Sequence, residues 1–167
     1  MNTVLLPKFS YLFYGLIVGN DIVVDGVWAT WFGGTSDPQD DGTTASGANT
    51  KTNPKLVGCS LPMDYHRPKD NPCAGSPLPK LPWFSTKVEV TNKLTGKVCG
   101  PYMLIDEGPK PPPIAIGSID LTPPAFLDAG GDLGVGRIPV SYRIIDGAKI
   151  LGITRVPQQP APLSGVS

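Results

Sequence analysis

The stretch KVEVTNKLTGKVCGPYMLIDEGP (residues 87–109) decides the fold. Val88 and Val90 alternate with Lys87, Glu89 and Thr91, the period of two that sends successive side chains to opposite faces of a strand. NKLTG (92–96) carries turn residues, and the chain then returns as a second strand over residues 97–105. The segment therefore predicts a β-hairpin whose second strand runs into Asp106. GPKPPP (108–113) follows as a rigid loop, because each proline fixes φ and removes a backbone donor.

Working outward toward the C-terminus, residues 118–121 predict a short strand. Thr122 is placed as an N-cap with Pro123 at the first helical position, opening a short helix through Asp128. Gly130 and Gly131 end it. Residues 138–145 predict a strand in which Val140, Tyr142 and Ile144 alternate with polar neighbours. Asp146-Gly147 reads as a tight turn, residues 149–156 as a final strand, and residues 157–167 as a Pro-rich tail. Toward the N-terminus, residues 61–83 hold six prolines, Pro62, Pro68, Pro72, Pro77, Pro79 and Pro82, and predict an irregular surface insertion. Residues 56–61 predict a short buried strand, residues 33–55 a polar loop, and VWATWF (27–32) an aromatic, β-branched strand. Residues 1–26 form an apolar arm with short extended runs at 3–6 and 22–24. The barrel domain is expected over 27–156. Many short strands, one short helix and Gly/Pro turns give an all-β barrel or sandwich.

Composition narrows the function. The 14 basic and 14 acidic side chains cancel, and no segment has the charge footprint of a nucleic-acid binder. Gly and Pro number 20 each, interleaved with apolar runs as turns between strands. With 3 cysteines, none in a CxxC pair, and 1 histidine, His66, the sequence offers no zinc site, and no cofactor is expected. Cys59 and Cys73 fit either a disulfide closing the insertion or, with Cys99, free thiols near the core. FSYLFYGLIVG (9–19) lacks the basic start and small-x-small site of an export signal and is too short to span a bilayer. Its apolar surface suits a contact with protein, either this domain or a neighbour.

Three segments carry a family resemblance. ATWFGG (29–34) with Asp37 is similar to the first strand and loop of expansins, and Thr44-Ala45-Ser46-Gly47 matches the TASG signature of rare lipoprotein A. VEVTNKLTGK (88–97) and Asp106-Glu107-Gly108-Pro109 resemble the family's hairpin and its Asp-Arg-Gly-Pro. Ile119-Asp120-Leu121-Thr122, Ala125-Phe126 and Val140-Ser141-Tyr142-Arg143 resemble the expansin pattern of a strand Asp, a short helix and a closing Tyr-Arg strand. Together they cover residues 27–145 in order. The resemblance implies a six-stranded double-psi β-barrel with one short helix, a long Pro-rich insertion and an N-terminal arm. It also implies action on cell-wall polysaccharide, peptidoglycan above all. The chain departs from the family at Ala48, where a Glu usually follows TASG, and at residues 58–61, where the usual His is absent.

Glycosidic cleavage needs an acid for the leaving oxygen and a second group to stabilise the oxocarbenium-like state or activate a nucleophile. In lytic transglycosylation the sugar's own 6-hydroxyl attacks, so one Asp can serve as acid and then base. Asp106 and Asp120 are the catalytic candidates, because each follows an isoleucine at a strand end, where an apolar setting raises a carboxyl pKa. Asp37, Asp40 and Asp41 could supply a partner carboxylate, and His66 could stand in for the missing family His. Trp31, Phe32, Trp83 and Tyr102 are candidate sugar-stacking aromatics. Each has a plainer role open to it: turn stabilisation for the acids, core packing for the aromatics. Three functions follow: a peptidoglycan-cleaving enzyme, a non-catalytic glycan-binding barrel, or a structural subunit such as a phage tail or virion component. All three place the protein outside the cytoplasm or on a virion. Residues 1–26 and the C-terminal tail would be its contacts with protein partners or a second copy.

Overall fold

The computed structural model describes residues 15–63, 78–109 and 117–153. Among them are the strands β1 (Leu16–Val18), β2 (Asp21–Trp31), β3 (Gly58–Leu61), β4 (Lys87–Asn92), β5 (Val98–Glu107), β6 (Ile119–Leu121) and β7 (Arg137–Ile144). Two short helices, α1 (Pro123–Asp128) and α2 (Gly147–Ile150), join them. The sheet runs β1-β2-β6-β3-β5-β4-β7, and β7 pairs back onto β2. That last pairing closes a six-stranded barrel and leaves β1 outside it as an antiparallel flap on β2. Closure removes the exposed edges that an open sheet would present. The pairs β2–β6 and β3–β5 are parallel, and the other barrel pairs are antiparallel.

The barrel forms because alternate residues on every strand are apolar. Ile22, Val24 and Ala29 of β2, Val88 and Val90 of β4, Tyr102 and Leu104 of β5, and Ile138, Val140, Tyr142 and Ile144 of β7 all fill one core. The intervening side chains face outward. α1 caps an end of the barrel through Ala125 and Phe126. Gly131 lies so close to the Phe126 ring that a Cβ there would stand 2.3 Å from it. Thr122 occupies the N-cap position of α1 but makes no side-chain cap. Its hydroxyl instead accepts from the Gly58 N–H at 3.1 Å, tying the helix start to β3.

The hairpin, α1 and β7 lie where the sequence puts them, and three features differ. First, the domain boundary expected at residue 26 falls inside β2, whose Ile22 and Val24 are core residues paired with β7. The ladder is interrupted between Val24 and Val27, and Gly26 there takes a positive φ of 68°, so Asp25-Gly26 reads in sequence as the end of an element. Second, the ends of the Pro-rich insertion are not surface: Met63 and Leu78 form a parallel bridge, and both join Leu81 in the core. Third, the described part of the strand expected over 149–156, residues 149–153, is the end of α2 and the turn that follows it, and residues 154–156 lie outside the described residues. Asp146 takes a left-handed conformation (φ 54°), which turns the chain so that Leu151 and Ile153 pack on the core as it leaves α2. Of the two states open to the cysteines, Cys59 and Cys99 take that of buried free thiols. Burial drives the Cys59 thiol far above its ordinary pKa. Cys73, His66, the arm up to residue 14 and the tail from residue 154 lie outside the described residues.

Candidate functional site

Sheet register brings the candidate acids together. Thr30 of β2 pairs with Asp120 of β6, Asp120 pairs with Ser60 of β3, and Ser60 pairs with Asp106 of β5. The result is one row, Thr30–Asp120–Ser60–Asp106, across four adjacent strands. Asp120 faces outward because its neighbours Ile119 and Leu121 fill the core. Asp106 would face the other way but for a bulge. The β3–β5 register steps from Cys59↔Leu104 to Ser60↔Asp106, so Ile105 is the extra residue. An extra residue resets the alternation, and Ile105 and Asp106 both lie on the outer side. The Ile105 side chain accordingly covers Gly58, where a Cβ would meet it at 2.9 Å. Two interstrand spacings, about 9.6 Å, separate the backbones of Asp106 and Asp120.

Each member of the row is held. The Thr30 hydroxyl donates to Asp120 Oδ1. Ser60 is 2% exposed and donates to the Gly108 carbonyl at 3.0 Å. Gly108 has a positive φ of 137°, and a Cβ there would lie 3.3 Å from Ser60 Oγ and 3.9 Å from Asp120 Oδ2, so a glycine keeps the row open. Asp106 Oδ1 accepts from the backbone N–H groups of Ala45 and Glu107, each at 2.9 Å.

The Ala45 bond explains the TASG turn. Thr44 Oγ1 lies 2.9 Å from Ser46 Oγ and donates to the Ala48 carbonyl, and the Gly47 N–H returns to Thr44 O, forming a compact turn. That turn docks on β5 through Ser46 N–H to Ile105 O and Ala45 N–H to Asp106. Its approach is set by Gly33-Gly34: a Cβ on Gly33 would stand 2.4 Å from Thr50 Oγ1, and that same oxygen accepts from Gly34 N–H at 2.9 Å.

Burial pushes the Asp120 carboxyl up to about 6; the Thr30 hydrogen bond opposes this, and the charge of Asp106 adds to it. Asp106 is also raised, first by burial. The Ala45 and Glu107 N–H groups counter that shift, and the charges of Glu107 and Asp40 reinforce it. Glu107 stands where the family pattern has Arg, and its Oε2 is buried with no hydrogen-bond partner among the described residues.

The other sequence candidates divide. Asp37 accepts from Gln39 and Asp40 N–H, Asp40 from Gly42 N–H, and Asp41 from Thr43 N–H, so each ties its own loop. The Thr43 N–H and hydroxyl hold Asp41 below the usual carboxylate range. Asp40 alone among these three reaches the row, through its charge on Asp106. Trp31 packs partly on the core and donates its indole N–H to Leu133 O at 3.2 Å; Trp83 is likewise half-buried against the core. Phe32 is half-buried beside the row and donates its backbone N–H to Leu121 O at 3.0 Å. Tyr102 is not a surface platform. It is 1% exposed, and its hydroxyl donates to Asp128 Oδ2 at 2.7 Å, with Ala125 O at 3.2 Å. Burial, followed by the Asp128 contact, drives that phenol far above its normal pKa.

Sequence reasoning missed Thr30 and Ser60. A lone Thr and a lone Ser carry no local signal, and only the non-sequential strand order sets them between the acids. It also missed Trp28, outward-facing on β2, and Arg137, whose guanidinium lies 4.6 Å from the Trp28 ring centroid. Among the described residues there is no group of His, Cys, Asp and Glu fit to hold a metal. No helix among them is long and apolar enough to cross a membrane.

No protein-family model matches the chain, and no curated protein matches it. Among solved structures, it is similar to the Streptomyces papain inhibitor (SPI). The two share 17% identity over 77% of this chain and 96% of that one, at a TM-score of 0.45.

Proposed function

We propose that the chain is a double-psi β-barrel of the rare-lipoprotein-A and expansin kind that cleaves cell-wall glycan, peptidoglycan in the first place, outside the cytoplasm. The observation that carries this reading is the Asp120–Ser60–Asp106 row, with Asp120 pushed up to about 6 by burial. A carboxyl that keeps its proton into the mildly acidic range suits a general acid. Asp120 protonates the glycosidic oxygen as the bond from the anomeric carbon breaks. Asp106, anchored through Oδ1 by two backbone donors, offers its other oxygen to the positive charge developing on the sugar. The 6-hydroxyl of that same sugar then closes onto the anomeric carbon and returns its proton to Asp120. Water activated by Asp106 is the hydrolytic variant.

A pH profile of peptidoglycan turnover tests this. The working form has Asp120 protonated, so kcat/KM falls as pH rises through about 6. A rate that is flat between pH 5 and pH 8, or that rises across it, overturns the role of Asp120.

A second reading has its own support. Asp106 Oδ1 already ties down the TASG turn, and Ala48 stands where the family pattern has Glu, which favours a barrel that binds glycan without cutting it. In that case the profile shows binding to sacculi and no turnover at any pH.

A further inference from the structure

The row of outward side chains does not stop at Thr30. On its far side Thr30 pairs with Arg137 of β7, so the order across five strands is Arg137–Thr30–Asp120–Ser60–Asp106. Arg137 is exposed, while Ile138 beside it is in the core. Its guanidinium reaches diagonally to Trp28, two residues before Thr30 on the same face of β2, at 4.6 Å from the ring centroid.

What this guanidinium does not do is as informative. Among the described residues the Arg137 guanidinium makes no ion pair and no hydrogen bond, its contact being the Trp28 ring. Arg143, three outward positions further along β7, is instead clamped by Asp21 at 3.3 Å and Glu89 at 2.8 Å. Nor is Arg137 the counter-ion of the acids: the groups that set the Asp120 carboxyl are its burial, Thr30 and Asp106. The side chain is thus held in place by stacking while its hydrogen-bond donors stay open. A guanidinium held by stacking keeps its planar fork of N–H donors free, and that fork matches the two oxygens of a carboxylate.

We infer that Trp28 and Arg137 form an accessory subsite that binds a carboxylate carried by the glycan strand, about two strand spacings from the acid that works on it. The inference rests on the proposed glycan-cleaving reading and names the substrate class: an acidic rather than a neutral β-linked polymer. The carboxylate can belong to the sugar itself or to a peptide attached to it; the guanidinium reads the same group in either case.

Binding of the full chain to three probes tests it: peptide-bearing peptidoglycan strands, the same strands stripped of peptide by an amidase, and neutral chito-oligosaccharides of equal length. The expected result is a preference for carboxylate-bearing strands over the neutral probe. Arg137→Ala abolishes that preference, weakening charged-strand binding about tenfold or more, and leaves neutral binding unchanged. Arg137→Lys keeps a part of it, since a point charge lacks the fork. Stronger binding of stripped strands assigns the group to the sugar, and stronger binding of peptide-bearing strands assigns it to the peptide. Equal affinity for all three probes, or an Arg137→Ala protein that keeps the wild-type preference, overturns the subsite alone. Failure of all three probes to bind overturns the glycan reading with it. Arg137 is exposed, so both variants are expected to fold, and matching melting curves verify it.

Discussion

Asp120→Asn is predicted to make the protein more stable at neutral pH while destroying its activity. The native carboxyl holds its proton to about 6, against 3.8 when unperturbed. Between those values the native state binds more protons than the unfolded state, so stability falls as pH rises through the window. Above pH 6 the whole cost of a buried charge is present. The gap of about 2 pKa units, at 1.36 kcal/mol each, makes that cost about 3 kcal/mol, an upper bound because water reaches part of the side chain. Asparagine removes the charge and keeps an oxygen for the Thr30 hydroxyl. For a chain of this size, about 2–4 °C accompanies each kcal/mol, so the variant should melt up to about 6–12 °C higher at pH 8. Below pH 3.8 the two proteins should melt together. Thermal unfolding followed by circular dichroism at pH 3.5, 5, 6.5 and 8 gives the comparison. A difference that does not depend on pH, or a variant less stable at pH 8, refutes the electrostatic reasoning.

Two further substitutions separate site from scaffold. Tyr102→Phe removes the hydroxyl bonds to Asp128 and Ala125, and urea titration should show a loss of about 1–2 kcal/mol with binding to sacculi unchanged, as befits a core residue. Gly108→Ala forces a side chain into a positive-φ position and sets a methyl 3.3 Å from Ser60 Oγ; stability should drop by about 1–3 kcal/mol and turnover should fall with it.

The parts of the structure legible in the sequence are those set by local patterns. Val88 and Val90 announced β4, NKLTG its turn, and Thr122-Pro123 the start of α1. Asp106 and Asp120 were visible because each follows an isoleucine at a strand end. What stayed hidden depends on contacts between distant residues. The Ala45–Asp106 bond spans 61 positions, and nothing near either residue signals it. Thr30 and Ser60 join the acids because β6 slips between β2 and β3, an order that no local pattern encodes. The turn at Asp146 misled for a related reason. Asp-Gly is an ordinary hairpin signal, but here Ala148 N–H bonds Asn20 O at 2.8 Å, and the chain folds into α2 instead of a returning strand. Tyr102 looked like a platform because an aromatic in a strand is equally suited to either face. The β4–β5 register steps from Val90↔Cys99 to Val88↔Tyr102, and that irregularity at Gly100-Pro101 resets the alternation so that Cys99 and Tyr102 both face the core.

The central claim is that the Asp120–Ser60–Asp106 row cuts cell-wall glycan, and product analysis of purified sacculi tests it most directly. Wild-type protein, Asp120→Asn and Asp106→Asn are incubated at pH 5, and the soluble fraction is read by mass spectrometry. The account predicts muropeptides from the wild type, with release lowered by orders of magnitude in each variant although all three proteins remain folded. Wild-type protein that binds sacculi and releases nothing, or variants that release as much as the wild type, would contradict it.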